Sequence, residues 1–371
     1  MADDFSRARA VIDLDSIAHN AAELQRLAGD AELMAVVKAD AYGHGALPVA
    51  RRLRESHVRW LGVALPSEAV ALRAAGDTGN VLCWLWVPGE SDIDACIELG
   101  VDIGVGSIAH LEYVIARAKV LGANVRVHMK VDTGLSRNGI APGEWEHAIT
   151  VALSAAHIEL VGIWSHLASA DEPEVATTAD QIAVFDACVG VARALGADPN
   201  CVHLANTAGI LSHSASHFTM VRSGIGIYGV SPGDGIGAPE QFGLRPAMSI
   251  EARLAHVKTI PAGAGVGYNH IWVADVPTRV GLVPMGYADG LPRPTTGVHV
   301  LINGAVRPVI GRIAMDQFVV DLGDIPAEIG DHVQVLGHGA LDAQELGRAA
   351  GTIGYEVVTR IGSRLPRHYV G

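Results

Sequence analysis

The stretch that decides the fold is Leu33–Gly45, which reads LMAVVKADAYGHG. Its first half is a short valine-rich run, and small residues and glycines follow, so it predicts a buried strand whose last residue is Lys38. A strand buried on both faces seldom carries a lysine, because removing an ammonium group from water costs free energy and lowers its pKa. Lys38 is therefore either a strand-end lysine that extends to solvent or a Schiff-base nucleophile at the carboxyl end of the strand.

Short apolar runs alternate with helical patterns on the carboxyl side of this stretch. Helices are predicted over 46–55, 66–76, 109–122 and 178–195, the first helix of the chain being capped by Asp15 or Ser16. Eight strands alternating with helices are typical of a (β/α)8 barrel. The predicted barrel strands are Leu33–Lys38, Trp60–Leu65, Val81–Val87, Val101–Val105, Val125–Val131, Ile158–Trp164, Cys201–Ala205 and Met220–Tyr228.

The period of the pattern changes near Gly243. From Met248 to Leu336 the chain has short valine-rich runs divided by Gly, Pro and Asn-Gly signals, which predict a β structure, and one helix is predicted from Asp342 to Ala350. We therefore predict an α/β chain with a TIM-type (β/α)8 barrel over residues 1–242, followed by a mostly-β C-terminal domain over residues 243–371. A further strand near residues 9–14 precedes the barrel and is a candidate to pack with the β domain.

The composition excludes several classes of function. The 371 residues carry a formal net charge of −13, which does not favour a nucleic-acid partner because phosphate binding needs a clustered Lys/Arg surface. No apolar run approaches the roughly 18 residues of a membrane span, and the N-terminus lacks a signal-peptide pattern, so a cytoplasmic protein is expected. The four cysteines show no metal-ligand or disulfide spacing, and no metal site is expected.

Polar residues follow several predicted strands, at the barrel end where active sites lie. They are Lys38, Tyr42, Lys130, Asp132, Arg137, Ser165, His166, Asn206, Thr207, Arg222, Ser223 and Gly224. Backbone N–H groups of Gly224-Ile225-Gly226, with the hydroxyl of Thr207, form a candidate phosphate cradle, although Gly-x-Gly alone could equally be a tight bend. A Schiff-base lysine together with a phosphate site suggests pyridoxal 5′-phosphate.

These residues lie in motifs that resemble the alanine racemase family over essentially the whole chain. The first motif is Ala35–Gly45, which is similar to the family's pyridoxal-phosphate attachment signature. The other matching motifs follow in the family's order: Lys130–Gly134, Arg137–Gly139, Ser165–Asp171, Asn206-Thr207, Val221–Ile225, Gly265–Tyr268, Gly286–Gly290, Met315–Gln317 and Tyr355-Glu356.

The resemblance implies a two-base racemase that supplies D-alanine for peptidoglycan. Lys38 would hold the cofactor and act as one base, and Tyr268, supplied by the second subunit of a homodimer, would act as the other. Arg222 would face the pyridine nitrogen with His166 bound to it. Further roles implied are a cofactor and phosphate site (Tyr42, Asn206, Thr207, Gly224, Ile225, Tyr355), a substrate carboxylate site (Arg137, Met315) and supporting residues (Lys130, which is carbamylated in many members, Asp316 and Tyr287).

Racemisation removes an α-proton on one face of a planar carbanion and returns a proton on the other, so it requires two acid/base groups. Two other classes compete with a racemase: a barrel-type amino-acid decarboxylase and a non-catalytic pyridoxal-phosphate carrier. Arg222, in place of an acidic residue, argues against the first, and the β domain with Tyr268 argues against the second. Five residues depart from the commonest family pattern without removing a group that has a proposed chemical role: Gly267, Asn269, Ala314, Thr207 and Gly354. Gly354 is expected to loosen a wall of the substrate pocket and, together with Gly267, leaves serine or a broader substrate range open.

Overall fold

The computed structural model describes residues 7–294, 297–337 and 339–371. The chain begins with strand β1 (Ala8–Asp13) and helix α1 (Leu14–Ala28), and then eight parallel strands close into a barrel. The predicted fold class, a TIM-type barrel followed by a mostly-β domain, is confirmed. The barrel strands are β2 (Glu32–Val36), β3 (Trp60–Val63), β4 (Asn80–Cys83), β5 (Asp102–Val105), β6 (Val125–Lys130), β7 (Ile158–Trp164), β8 (Cys201–His203) and β9 (Met220–Ser223).

Helices surround the barrel and bury one apolar face each against its strands. Leu24, Leu53, Leu72 and Leu111 are fully or almost fully buried in this layer. The segments are α2 (Lys38–Tyr42), α3 (Ala46–Glu55), α4 (Pro66–Ala74), α5 (Ser91–Glu98), α6 (Ile108–Leu121), α7 (Trp145–Ser154), α8 (Thr177–Ala194) and α9 (Thr207–Ser212).

Some predicted boundaries are wrong. Strand β4 ends at Cys83 rather than Val87, and β9 ends at Ser223 because the chain turns into a short 3₁₀ segment at Ile225–Tyr228. Asp13, and not Asp15 or Ser16, caps α1, since its carboxylate accepts the backbone N–H of Ser16 at 3.0 Å. The apolar run in the sequence continues past the end of each of these two strands. The sequence pattern therefore does not indicate where the chain leaves the sheet.

The end of β2 differs most from the prediction. The strand ends at Val36, and Lys38 opens α2, in which Ala39, Asp40 and Ala41 each have φ 53°. This backbone is left-handed, which costs an L-residue on the order of 1–2 kcal/mol. Lys38 is thus placed by a strained turn and not by a regular strand.

The second domain is built mostly from the strands that follow the barrel. They are β10 (Met248–Arg253), β11 (His256–Ile260), β12 (Gly265–Val266), β13 (Trp272–Val273), β14 (Thr278–Val283), β15 (His299–Ile302), β16 (Ala305–Ile310), β17 (Phe318–Asp321), β18 (His332–Leu336) and β19 (Arg367–Val370). Nine strands form one sheet with the order β11-β14-β17-β16-β15-β18-β10-β1-β19. Strand β1 pairs antiparallel with β10 and parallel with β19, so the N-terminal strand lies in this sheet and not in the barrel.

Two helices, α10 (Ala343–Ala350) and α11 (Gly354–Thr359), precede β19. In the part of the chain that is described, strands β12 and β13 pair only with each other, and the segment Tyr268–His270 connects them. Gly267, at φ 69° and ψ −163°, has a conformation that glycine adopts far more readily than other residues. Within the described ranges, no helix combines the length and the apolar character needed to cross a membrane.

Candidate active site

The carboxyl ends of β2, β6, β7, β8 and β9 meet at one mouth of the barrel, because all eight strands are parallel. Lys38 and Lys130 lie at the ends of β2 and β6. His166 follows β7, and Arg222 lies on β9. The structure therefore brings these four predicted residues to the same face of the fold.

Lys38 is half-buried between two aromatic rings. Its Nζ lies 5.9 Å from the centroid of the Tyr42 ring and 5.9 Å from that of Trp84. Burial lowers the pKa of Lys38, and the nearby cation of Arg137 lowers it further, while the Glu68 carboxylate opposes the shift. The neutral amine, which is the nucleophilic form, is therefore more populated than in a free lysine.

Glu68 holds the left-handed turn that presents Lys38. Its Oε1 accepts the backbone N–H of Ala39 at 2.6 Å, and its Oε2 accepts those of Ala64 and Leu65 at 2.9 and 3.0 Å. Glu68 was not among the site residues predicted from the sequence. A glutamate three residues into a helix is a known capping signal. The contact from Glu68 to Ala39, however, links the segments that follow β3 and β2, so it forms only when the barrel is closed.

Arg222 is buried, and its guanidinium is held on several sides. Its Nη1 donates to the carbonyl of His203 at 2.8 Å and to His203 Nδ1 at 2.9 Å. Its Nη2 donates to the carbonyls of Ser165 and Leu204 at 2.7 and 3.1 Å, and lies 3.4 Å from His166 Nδ1. Among the described residues, no carboxylate forms an ion pair with Arg222, and no acceptor is within hydrogen-bond reach of its Nε–H. The Nε–H of Arg222 is thus left to donate a hydrogen bond to a bound group.

Both histidines beside Arg222 are neutral. A guanidinium only donates, so Nδ1 of His166 and of His203 must accept and cannot carry a proton. Burial lowers the pKa of both histidines well below the usual value, and the charge of Arg222 lowers it further. The mouth therefore contains cationic Arg222 with two neutral imidazoles and, among the residues described, no compensating anion in direct contact.

Lys130 lies beside this group on the face of Trp164. Its Nζ is 4.7 Å from the centroid of the Trp164 ring, and the guanidinium carbon of Arg222 is 5.1 Å from the same centroid. Burial, and then the charges of Arg222 and Arg137, lower the pKa of Lys130 to about 8. Arg137 itself is exposed on the loop after β6. An excess of positive charge faces the mouth, as expected for a site that binds anions.

A cradle of hydroxyl and backbone N–H groups lies next to the mouth. Thr207 Oγ1 is 3.1 Å from Ser223 Oγ and accepts the N–H groups of Gly224 and Gly226 at 3.2 and 3.3 Å. A Cβ atom on Gly224 would lie 2.3 Å from the Tyr42 hydroxyl, so only glycine allows that hydroxyl to approach the backbone here. The ring of Tyr355 is 6.3 Å from that of Tyr42.

Asn206 has a different position from the other cradle residues. Its Oδ1 accepts the N–H of Gly209 at 2.9 Å and so caps α9.

The expectation that Gly354 loosens a pocket wall is wrong, because a Cβ there would lie 2.8 Å from Val230 Cγ1 and 3.0 Å from Gln344 Oε1. That space is already filled by protein.

Besides Tyr355, four predicted site residues lie on the C-terminal domain. Tyr268 is 64% exposed and Met315 53% exposed, and in the described part of the chain no hydrogen bond or ring contact joins Tyr268 to Lys38. The loops of Tyr287 and Met315 are bound to each other through Ala288 N–H and the Met315 carbonyl, at 2.9 Å. Asp316 pairs with Arg364 at 2.8 Å. Among the residues that the structure describes, no hydrogen bond or ion pair joins these four residues to Lys38, Lys130 or Arg222.

Two family models match the chain, namely the alanine racemase N-terminal domain over residues 12–232 and the alanine racemase C-terminal domain over residues 247–369. The chain belongs to the alanine racemase family. The predicted resemblance is therefore confirmed, and so is the enzyme class, an amino-acid racemase.

Relatives in the family cover the chain almost end to end. The chain is 46% identical over 381 residues to the alanine racemase of Streptomyces coelicolor, an alignment covering 100% of this chain and 97% of that protein. It is 42% identical to the enzyme of Corynebacterium glutamicum strain ATCC 13032, covering 97% of this chain and 98% of the relative. Among solved structures of the family, alanine racemase from Streptomyces lavendulae has a TM-score of 0.97 at 45% identity, covering 100% and 98% of the two chains.

Two buried histidines near the mouth, His203 and His128, were also not predicted from the sequence. A signal was present, because His128 lies two residues before Lys130 on β6 and alternate residues of a strand share a face. A lone histidine in an apolar strand is more often a core residue, and the sequence alone does not show that it contacts a second histidine.

Proposed function

We propose that the chain interconverts L-alanine and D-alanine with pyridoxal 5′-phosphate as its cofactor. The observation that carries this proposal is the environment of Arg222, a buried guanidinium with no carboxylate partner among the described residues. Decarboxylases of the same architecture usually have an acidic residue facing the cofactor ring. An arginine does not readily give up a proton, so it would leave the ring nitrogen largely unprotonated and favour racemisation over side reactions.

The groups at the mouth fit this cofactor. Lys38 supplies a half-buried amine with a lowered pKa, and the Arg222 Nε–H supplies a donor for a ring nitrogen. The hydroxyls of Tyr42, Thr207 and Tyr355, with the backbone of Gly224 and Ile225, would hold the phosphate. When bound, pyridoxal phosphate supplies an electron-withdrawing ring that makes the α-proton of an amino acid acidic.

Two side chains would move the proton. Lys38 Nζ would take or return it on one face of the substrate, and the Tyr268 hydroxyl would do so on the opposite face. Tyrosine is a weak base with a reference pKa of ~10, so positive charge near it would be needed to make it effective. The charges of Arg222 and Arg137 would be available at the mouth.

Tyr268 would come from a second copy of the chain. Its side chain is 64% exposed on the C-terminal domain, which is unusual for a catalytic residue of a completed site but expected for one that projects into a partner. The exposed side chain of Met315 lies on the same domain, and its backbone, with Arg137 of the barrel, would bind the substrate carboxylate. The homodimer would thus contain two sites, each made from both chains.

The family assignment also supports a proposal about the role of this reaction in the cell. A cytoplasmic supply of D-alanine for peptidoglycan would follow from this reaction, with Tyr287 and Asp316 supporting the approach to the site. A side chain as small as a methyl group is selected by packing worth only ~1–3 kcal/mol. Serine is therefore the second substrate to test.

The experiment that tests the reaction is incubation of the cofactor-loaded enzyme with L-alanine in D2O. We expect loss of optical rotation, incorporation of deuterium at the α-carbon and no release of CO2. Net CO2 would instead identify a decarboxylase, and no reaction at all would identify a carrier. Repeating the assay with a panel of L-amino acids, serine included, measures the substrate range.

Lys130 is expected to react with CO2. The neutral amine would form an N–C bond to the carbon of CO2 and lose one proton to solvent, which converts a cation beside Arg137 into an anion that can orient it. With a pKa of about 8, the neutral fraction of the amine rises from about one tenth at pH 7 to about nine tenths at pH 9.

The measurement is a ¹³C NMR carbamate signal at constant dissolved ¹³CO2. The signal is expected to grow as the pH rises through 8 and to be absent from Lys130→Arg. A carbamate signal that persists in this variant would contradict the assignment to Lys130.

A further inference from the structure

A chain of buried hydrogen bonds runs through the barrel interior from Arg222 to the opposite end of the strands. Arg222 Nη1 lies 2.9 Å from His203 Nδ1, and His203 Nε2 lies 2.8 Å from His128 Nδ1. His128 Nε2 lies 3.1 Å from Asp102 Oδ2. Both imidazoles are fully buried, and Asp102, the first residue of β5, is almost so. This chain connects the mouth of the barrel with its amino-terminal end.

Asp102 is also bound by an arginine that reaches solvent. Arg126 Nε and Nη2 donate to Asp102 Oδ1 and Oδ2 at 2.9 and 3.2 Å. The Arg126 side chain is 41% exposed, whereas that of Asp102 is 3% exposed. The carboxylate therefore accepts hydrogen bonds from two separate partners, one on the surface and one inside the barrel.

The protons along the chain have only one consistent arrangement. The Asp102 carboxylate only accepts, so His128 Nε2 must carry a proton, and Arg222 only donates, so His203 Nδ1 must not. The contact between the two rings then needs one proton, and it lies on His203 Nε2. A second proton on either ring would bring two N–H groups face to face. Both histidines are therefore neutral Nε2–H tautomers.

The surroundings keep the rings in this arrangement. Trp164 stacks on His203 with 5.7 Å between ring centroids, and Trp60 packs edge-on against His128 at 5.5 Å. A Cβ atom on Gly162 would lie 2.1 Å from His128 Nδ1, so this glycine makes room for the ring beside β7. Neither imidazole can rotate without displacing an indole.

We infer that Asp102 is a positioning residue for Arg222, acting through His128 and His203. The carboxylate polarises the two imidazoles in series and so partly balances the buried guanidinium without touching it. A carboxylate in direct contact would cancel most of the charge of Arg222, whereas one placed two rings away sets how strongly Arg222 donates. This inference rests on the proposed function, in which Arg222 faces the ring nitrogen of the cofactor.

The test compares Asp102→Asn with Arg126→Gln. Both variants remove the ion pair between Asp102 and Arg126 at the end of the barrel. Only Asp102→Asn also removes the carboxylate from the series of hydrogen bonds that leads to Arg222. In the cofactor-loaded Asp102→Asn enzyme we expect kcat for alanine to fall roughly three- to ten-fold with KM unchanged, because a more strongly donating Arg222 would stabilise the deprotonated substrate and slow the return of the proton. We also expect the ¹⁵N signal of ¹⁵N-labelled cofactor to move upfield, because a less balanced Arg222 donates more strongly to the ring nitrogen. Arg126→Gln should match the wild type in both measurements.

Equal behaviour of the two variants would overturn the inference and assign Asp102 a structural role only. Asp102→Glu, which keeps the charge, is expected to restore most of kcat, and failure to do so would also count against it. Histidine ¹⁵N NMR of the wild type needs no variant, and it must show two neutral Nε2–H rings that do not exchange with solvent. A wild-type enzyme without racemase activity would instead refute the proposed function, while the NMR result would still test the proton arrangement.

Discussion

Replacing Lys38 with methionine is expected to abolish racemase activity, by about 10⁴-fold or more, because it removes both the amine that holds the cofactor and one of the two proton-transfer groups. The chain makes this test unusually clear, since its only lysines are Lys38, Lys119, Lys130 and Lys258. Borohydride reduction of the loaded wild-type enzyme, followed by peptide mass measurement, should place the cofactor on Lys38.

Lys130 provides the matched control for this experiment. It is also buried at the mouth and also has a lowered pKa, so simple reactivity of a neutral amine would label both lysines. We expect no cofactor on Lys130 in the wild type or in Lys38→Met. A labelled Lys130 peptide would mean that the strained turn after β2 does not determine the attachment site.

Replacing Tyr268 with phenylalanine should leave the cofactor bound but reduce racemisation by about 10³-fold, within the range for loss of a general acid–base group. Proton transfer by Lys38 would remain, so one enantiomer of alanine should still exchange its α-proton for deuterium without inverting. Tyr113→Phe, a change of the same kind on α6 beside Trp86, is the control and should retain activity. Full activity of Tyr268→Phe in both directions would rule out the two-base scheme.

Mixing the two inactive variants tests where Tyr268 acts. In a heterodimer of Lys38→Met and Tyr268→Phe, one of the two sites would combine an intact Lys38 with an intact Tyr268. Half of the dimers in an equal, fully exchanged mixture are mixed, so activity should return to about one quarter of the wild-type value. No recovery would indicate that both groups act within one chain.

The wrong boundaries and the missed residues have related physical causes. The sequence placed Lys38 on a strand, but a left-handed turn presents it, and the partners that hold this turn include Glu68 from another helix. No local pattern indicates such a turn, because its residues Ala39 and Ala41 do not favour positive φ. The hydrogen bonds that offset its strain exist only once β2 and β3 are side by side.

The sequence by itself determined the architecture and the kind of chemistry. Alternation of apolar runs and helical patterns is a local property, so it indicated a parallel barrel and then a β domain, and residues at strand ends could be assigned to one mouth. The tertiary structure alone decided what surrounds those residues. The charge state of Arg222, the tautomers of His203 and His128 and the link to Asp102 depend on contacts between β5, β6, β8 and β9. Such contacts join residues far apart in the chain, and burial makes their geometry and charge decisive, because water is not available to replace a missing partner.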